Sequence, residues 1–430
     1  MKRYETYKDS GIQWWEEIPT HWDLKKAKHI FSLVTENVSD SSLPKIALEN
    51  IESWTGKYIE TDSDFIGEGV EFKKDDILFG KLRPYLAKVY KAEFAGQAVG
   101  DIYVFRGNEE QNPEYLKYLL LSYPFISVVD GSTYGAKMPR ANWDFISHLV
   151  LPCPPKTEQV TIAAFLDHKV GQIDATIAEK EQMLEDLKAY RSAIISEAVT
   201  KGLDKNVEMK DSGVEWIGMI PKHWNINKLK FFADISTGTT PSTDNEEYWK
   251  EPTENWYTPS DFCEENVHLE TSSRKVSTTA FQESACRVFK KDVVLVVGIG
   301  ATLGKIGISS VECSANQQIN AIEFYDNVYP LFGAYYLSSL KEVMKSLASA
   351  ATLAIMNQSV TGSIPFVCPT LDEQKEIADY LEKKTKSIGS LLNQIEVQID
   401  ELKSYKSVLI TEAVTGKIDL REWKPKEDNV

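Results

Sequence analysis

Apolar residues recur every seven positions over two long stretches of this 430-residue chain, Glu158 to Asp204 and Glu373 to Asp419. In the first they are Leu166, Ile173, Leu187 and Ile194, with a second series at Val170, Ile177 and Leu184. In the second they are Leu381, Ile388, Ile395, Leu402 and Leu409, with Leu392 and Ile399. Two interleaved series of this kind form a heptad seam, which predicts a helix and a partner helix packed along it. The stretches align without a gap, from Glu158-Gln159 over Glu373-Gln374 to Glu197-Ala198-Val199-Thr200 over Glu412-Ala413-Val414-Thr415. Each is therefore the other's predicted partner. A helix of about 40 residues at 1.5 Å per residue is about 60 Å long. Lys180, Arg191 and Lys406 fall at core positions of the seam. Long basic stems can lie along apolar surface with the charge in water, or they mark a face for another protein. A spacer rod and a docking element both fit.

The doubling extends upstream. Lys8-Asp9-Ser10-Gly11-Ile12-Gln13-Trp14 with Ile18-Pro19-Thr20-His21-Trp22 returns as Lys210-Asp211-Ser212-Gly213-Val214-Glu215-Trp216 with Ile220-Pro221-Lys222-His223-Trp224. His21 and His223 stand beside Trp with no acidic or cysteine partner fixed in the repeat, so they read as structural histidines in a Trp-anchored turn. Between opening motif and long helix lie blocks that do not repeat, about 31–150 and 231–365. Runs such as Asp76-Ile77-Leu78-Phe79, Ile102-Tyr103-Val104-Phe105 and Val293-Val294-Leu295-Val296-Val297 predict strands. Pro113 to Val129 and Leu331 to Leu347 predict a helix late in each block. The expected fold is mixed α/β (α+β). Two globular variable domains are separated by a pair of long antiparallel coiled-coil helices in an internal pseudo-twofold repeat. The boundaries are 1–155 for the first motif and domain, 156–204 for the first helix, 205–370 and 371–419 for the second set, and 420–430 for a tail. Duplex DNA shares twofold symmetry, and paired readers bind two half-sites at a set spacing. Because the variable domains differ, the half-sites should differ too.

Composition narrows the class. No apolar run reaches membrane-spanning length, and Met1-Lys2-Arg3-Tyr4-Glu5 lacks the apolar core of a signal peptide, so a cytoplasmic protein is expected. Cys153, Cys263, Cys286, Cys313 and Cys368 lie far apart with no Cys-x-x-Cys pair, and read as reduced structural thiols. A net charge of −16 argues against non-specific nucleic-acid binding, though not against local basic patches.

With the doubled Lys-Asp-Ser-Gly…Trp…Ile-Pro-x-His-Trp opening, Pro-x-x-x-Glu-Gln leads into each long helix (Pro154 to Gln159, Pro369 to Gln374) and Glu-Ala-Val-Thr closes it. In these features the chain resembles the specificity subunit of type I restriction–modification enzymes. The resemblance implies that the variable blocks are target recognition domains and the helices are spacers setting the gap of a bipartite DNA site. It implies a non-catalytic, double-stranded-DNA-binding subunit on which two methyltransferase and two restriction/translocase subunits assemble. No cofactor is expected on this chain; S-adenosylmethionine, ATP and Mg are expected on the partners. Three rival readings are a specificity chain for a fused methyltransferase–nuclease, a coiled-coil adaptor that binds no DNA, and a nuclease active alone.

The residues suggest where DNA would lie. Phe79 to Lys91 follows a strand, carries Lys81, Arg83, Lys88 and Lys91 without an acid, and interleaves Tyr85 and Tyr90. Arg83 suits a bidentate guanine contact, with Lys81 and Lys88 on phosphates. A second basic turn holds Lys137 and Arg140. In the second domain the matching loop is Gly298 to Lys305, with Thr302 and Lys305, and further candidates are Thr240, Gln317 and Gln318, whose amides suit adenine edges. The bland alternative for each is a solvated turn. Enzyme motifs fail: Ile299 and Ile306 break a P-loop and Leu303 breaks a dinucleotide loop. Asn112-Pro113-Glu114-Tyr115 departs from the Asn-Pro-Pro-Tyr of amino-methyltransferases. No His/Cys set has metal-ligand spacing.

Overall fold

The computed structural model describes residues 2–12, 14–38, 42–61, 68–133, 138–348 and 355–425. The chain divides into two compact units, Met1–Glu181 with Val397–Val430, and Gln182–Glu396. Each unit contains an opening motif, a variable domain, and portions of both long helices, which span Lys156–Lys201 and Leu371–Val414. The division into units falls within both helices at matching positions, Glu181/Gln182 and Glu396/Val397.

In the first unit the variable domain is built on a sheet of β1 (Phe31–Val34), β2 (Ile77–Gly80), β3 (Val89–Lys91) and β4 (Ile102–Gly107), in the order β1-β4-β2-β3. Every residue of β2 is buried, as its unbroken apolar run requires of a central strand. The predicted helix from Pro113 is two, Pro113–Leu121 and Tyr123–Gly131. Asn112 caps the first through the Tyr115 amide at 2.9 Å. Ser122 then takes an extended conformation, as Pro124 near the start of the next helix favours a fresh turn.

The second unit repeats the plan in β5 (Ala233–Thr237), β6 (His268–Leu269), β7 (Val293–Val297), β8 (Ile306–Ser309) and β9 (Ile319–Phe324), ordered β5-β9-β7-β8-β6. The fully buried Val-Val-Leu-Val-Val of β7 again runs through the centre. Helices Pro330–Ser338 and Lys341–Ala348 replace the single predicted one.

The seam residues are buried where the heptads place them, Leu166 and Leu381 completely. Of the basic residues within the seam only Lys406 is buried, and each of the three finds a polar partner. The Lys406 ammonium lies 2.8 Å from Asp174, whose other oxygen meets Lys57 at 2.9 Å. Arg191 donates to the carbonyls of Glu264 and Glu265, both at 2.7 Å. Lys180 reaches the Gln398 amide oxygen at 2.7 Å. The helix ends are set chemically. Thr370 and Glu373 form a capping box at one start. At the other end Gly416 adopts φ +74°, and the amides of Gly416 and Lys417 close on Ala413 and Glu412. A Cβ at Gly416 would stand 2.4 Å from Pro19, so this glycine also admits the opening motif.

Candidate nucleic-acid interface

Three separate segments meet at one end of the central strand pair β2–β4 of the first sheet. The Lys81 amide donates to the Asp101 carbonyl at 2.9 Å, the Arg83 amide to Pro139 at 2.8 Å, and the Ala141 amide to Lys81 at 2.7 Å. The Tyr103 hydroxyl completes the stitch on the Ala141 carbonyl at 3.1 Å. The second domain uses the same frame. The Gly298 amide donates to Gln318 at 2.8 Å, the Met356 amide to Gly298 at 2.7 Å, and the Asn320 side-chain amide to the Met356 carbonyl at 2.7 Å. Bridges Leu82–Arg140 and Ile299–Ile355 hold equivalent places. Lys81, Arg83, Tyr103 and Arg140 thus stand where the second domain has Gly298, Gly300, Asn320 and Ile355.

The frame is constant and its side chains are not. Arg83 is exposed, sits at φ +50°, and makes no ion pair or side-chain hydrogen bond among the described residues. Gly300, its counterpart, takes φ +85° without a Cβ to oppose it. A left-handed non-glycine residue costs about 1–2 kcal/mol. Ala87, four residues on, is left-handed too, at φ +46°. Lys81 lies 3.8 Å from Asp101 and over the Tyr103 ring at 5.3 Å. Arg140 grips Asp101 through Nε and Nη2 at 3.1 and 3.0 Å, with its side chain 56% exposed. Tyr85 presents an exposed ring beside them.

Lys88 is placed differently. Its ammonium donates to the Leu48 and Ile51 carbonyls, each at 2.7 Å, and burial pushes its pKa down. It braces the loop from within. Lys137 lies outside the described residues. In the second domain the Thr240 hydroxyl donates to Gln317 Oε1 at 2.5 Å, and Asn316 donates to Gln318 Oε1 at 3.1 Å. Gln317 and Gln318 are exposed. Thr302 is half-buried, and Lys305 donates to the Phe262 carbonyl at 3.0 Å. Sequence reasoning missed Asp101, Tyr103 and Asn320, because each is fixed by a segment distant along the chain. Gly100-Asp101 ahead of a predicted strand was the available turn signal.

Each domain is tied to its helix by the Glu-Gln pair. His21 Nε2 lies 2.6 Å from Glu158, and the Trp22 indole donates to the same carboxylate at 3.0 Å. His223 and Trp224 meet Glu373 at 2.8 and 3.1 Å. The expectation that the histidines lack an acidic partner in the repeat is corrected here: the partner is the first residue of each Glu-Gln, far off in sequence. Burial works against the Glu373 charge, but bonds from Thr370, His223 and Trp224 outweigh it and hold the carboxyl at about 2. Gln159 accepts from the Asn112 amide at 2.8 Å, and Gln374 from that of Tyr329 at 2.7 Å. These are anchoring contacts. Among the described residues no group of three His, Cys, Asp or Glu side chains is arranged to hold a metal.

The profile of the Type I restriction modification DNA specificity domain matches residues 26–188 and 221–401, one match per repeat. The chain belongs to this family. It is 23% identical to the putative type I restriction enzyme MjaX specificity subunit of Methanocaldococcus jannaschii, over 96% of this chain and 98% of that one. With the MjaIX specificity subunit of the same organism, identity is 28% over 43% of this chain and 44% of that protein. A chain solved in work on complex assembly and conformational transition of the type I R-M system shares the fold. Its TM-score is 0.75 at 17% identity, over 93% of this chain and 99% of that chain. No helix among the described residues is long and apolar enough to cross a membrane.

Proposed function

We propose that this type I specificity chain reads an asymmetric, bipartite site on double-stranded DNA, one half with each variable domain. The observation that carries the reading is the shared backbone stitch presenting Lys81, Arg83 and Arg140 in one domain and Gly300, Gln317 and Gln318 in the other. A fixed frame sets the approach to the groove, and differing side chains set the bases. The overall charge of −16 makes local patches, rather than the whole surface, responsible for meeting phosphates. On this reading the chain contributes no catalytic group. Two methyltransferase subunits and two restriction/translocase subunits assemble on it, bringing S-adenosylmethionine, ATP and Mg.

Co-expression with its methyltransferase subunit, followed by single-molecule sequencing of the host genome, tests this directly. A split motif with unlike halves and one fixed gap is expected. A purified complex that modifies no such motif and binds no duplex at any spacing would overturn it.

A further inference from the structure

Arg274 lies on the exposed surface of the second domain, where sequence pattern gives no reason to single it out. Its guanidinium carbon sits 4.9 Å from the Trp256 ring centroid and 5.1 Å from that of Trp249. The two indoles are perpendicular and 5.5 Å apart. Both are fixed to the loop that carries Thr240. The Trp256 indole donates to the Thr239 carbonyl at 3.0 Å and the Trp249 indole to Ser242 at 3.1 Å. Thr240, between those anchors, is the residue bonded to Gln317. The Arg274 backbone is held as well, its carbonyl accepting from the Ser272 hydroxyl at 2.5 Å. Through its two indoles this cation is linked to the loop whose Thr240 meets Gln317.

The arginine is held without being neutralised. Arg106, Arg140 and Arg421 each meet an aspartate through two nitrogens. Arg274 has no carboxylate within ion-pair distance and donates no side-chain hydrogen bond among the described residues. Ring faces restrain a guanidinium while leaving its N–H donors unsatisfied. The chemistry of the surroundings then selects the ligand. Glu246, Glu247 and Lys250 line the surface hollow beside it, and Lys250 lies 3.7 Å from Glu247. Glu246 has no ion-pair partner among the described residues, and its carboxylate disfavours a phosphate while suiting a G·C pair, whose cytosine offers an amino donor.

We propose that Arg274 reads a guanine in the half-site bound by the second domain, its fork taking O6 and N7. The proposal rests on the DNA-reading function above and names a base reader within it.

The test uses the complex assembled with its methyltransferase subunit. Its genomic motif is mapped first, and binding is then measured on duplexes in which each G·C pair of that motif is replaced in turn. Arg274→Ala should lose about tenfold or more of the discrimination at one G·C pair, in one half-site only. Arg274→Lys keeps a cation for the indoles but lacks the fork, so it should melt with the wild type and still lose that guanine. An even loss at every position, an effect in the other half-site, or wild-type discrimination in both variants would each overturn the assignment. A mapped second half without G·C would do the same. A wild-type complex with no bipartite motif would instead remove the DNA-reading function on which the assignment stands.

Discussion

Arg83 and Gly300 occupy one place in two copies of the same turn, and only the glycine is at ease there. Relief of strain and loss of reading should therefore separate. Arg83→Gly is expected to raise stability by about 1 kcal/mol in thermal unfolding, while discrimination in one half-site falls by about 1–3 kcal/mol in binding to base-substituted duplexes. Unchanged discrimination would remove Arg83 from the reader. Glu373 makes a different prediction. Its carboxyl is held at about 2, below the ordinary value of 4.5. The stability it contributes is present above the unfolded value and is lost as pH falls through about 2. Glu373→Gln should flatten the acid side of the stability profile between about pH 4.5 and 2, leaving the neutral-to-alkaline side unchanged in shape. The basic loop around Arg83 was legible as residue types in a row. Its convergence with Asp101 and Arg140 was not, because backbone bonds between distant segments leave no periodicity.

At the scale of elements, both helices were plain in the heptads, since burial along a seam repeats with the turn of the helix. What pattern alone obscured was how a charge can occupy the seam. Asp174 feels burial first, which disfavours its charge, but the ammoniums of Lys406 and Lys57 prevail and keep its pKa below the usual carboxylate range. Asp174→Ala would leave the Lys406 ammonium buried without its partner, at a cost of about 3 kcal/mol by chemical denaturation. A change below about 0.5 kcal/mol would mean that the contact is solvated. The counterpart of Asp174 in the repeat is Gly389, and there the matching Arg191 is taken up by two loop carbonyls instead. One sequence position thus has two solutions, and only the neighbouring loop decides between them. The single helices expected after Pro113 and Leu331 misled for a related reason: an apolar pattern persists through a turn, so Ser122 and Pro124 carried the only break signal.

For the molecule as a whole, the matching cuts at Glu181/Gln182 and Glu396/Val397 mark where each long helix passes from one unit's packing to the other's. Inserting one heptad at both cuts keeps every seam residue in phase and touches neither unit. The complex should then methylate sites with a changed gap and unchanged half-sites. A genome map showing the original gap would deny the helices a measuring role.

The first unit also joins distant parts of the chain: the Asp419 amide donates to the Lys2 carbonyl at 2.9 Å, and the Tyr7 hydroxyl to Gly416 at 3.1 Å. The second unit is one unbroken segment, residues 182–396. Synthesis therefore reverses the usual order of maturation. The unit begun first is completed only by the segment from residue 397 onward, while the one begun later has all of its own residues as soon as residue 396 emerges.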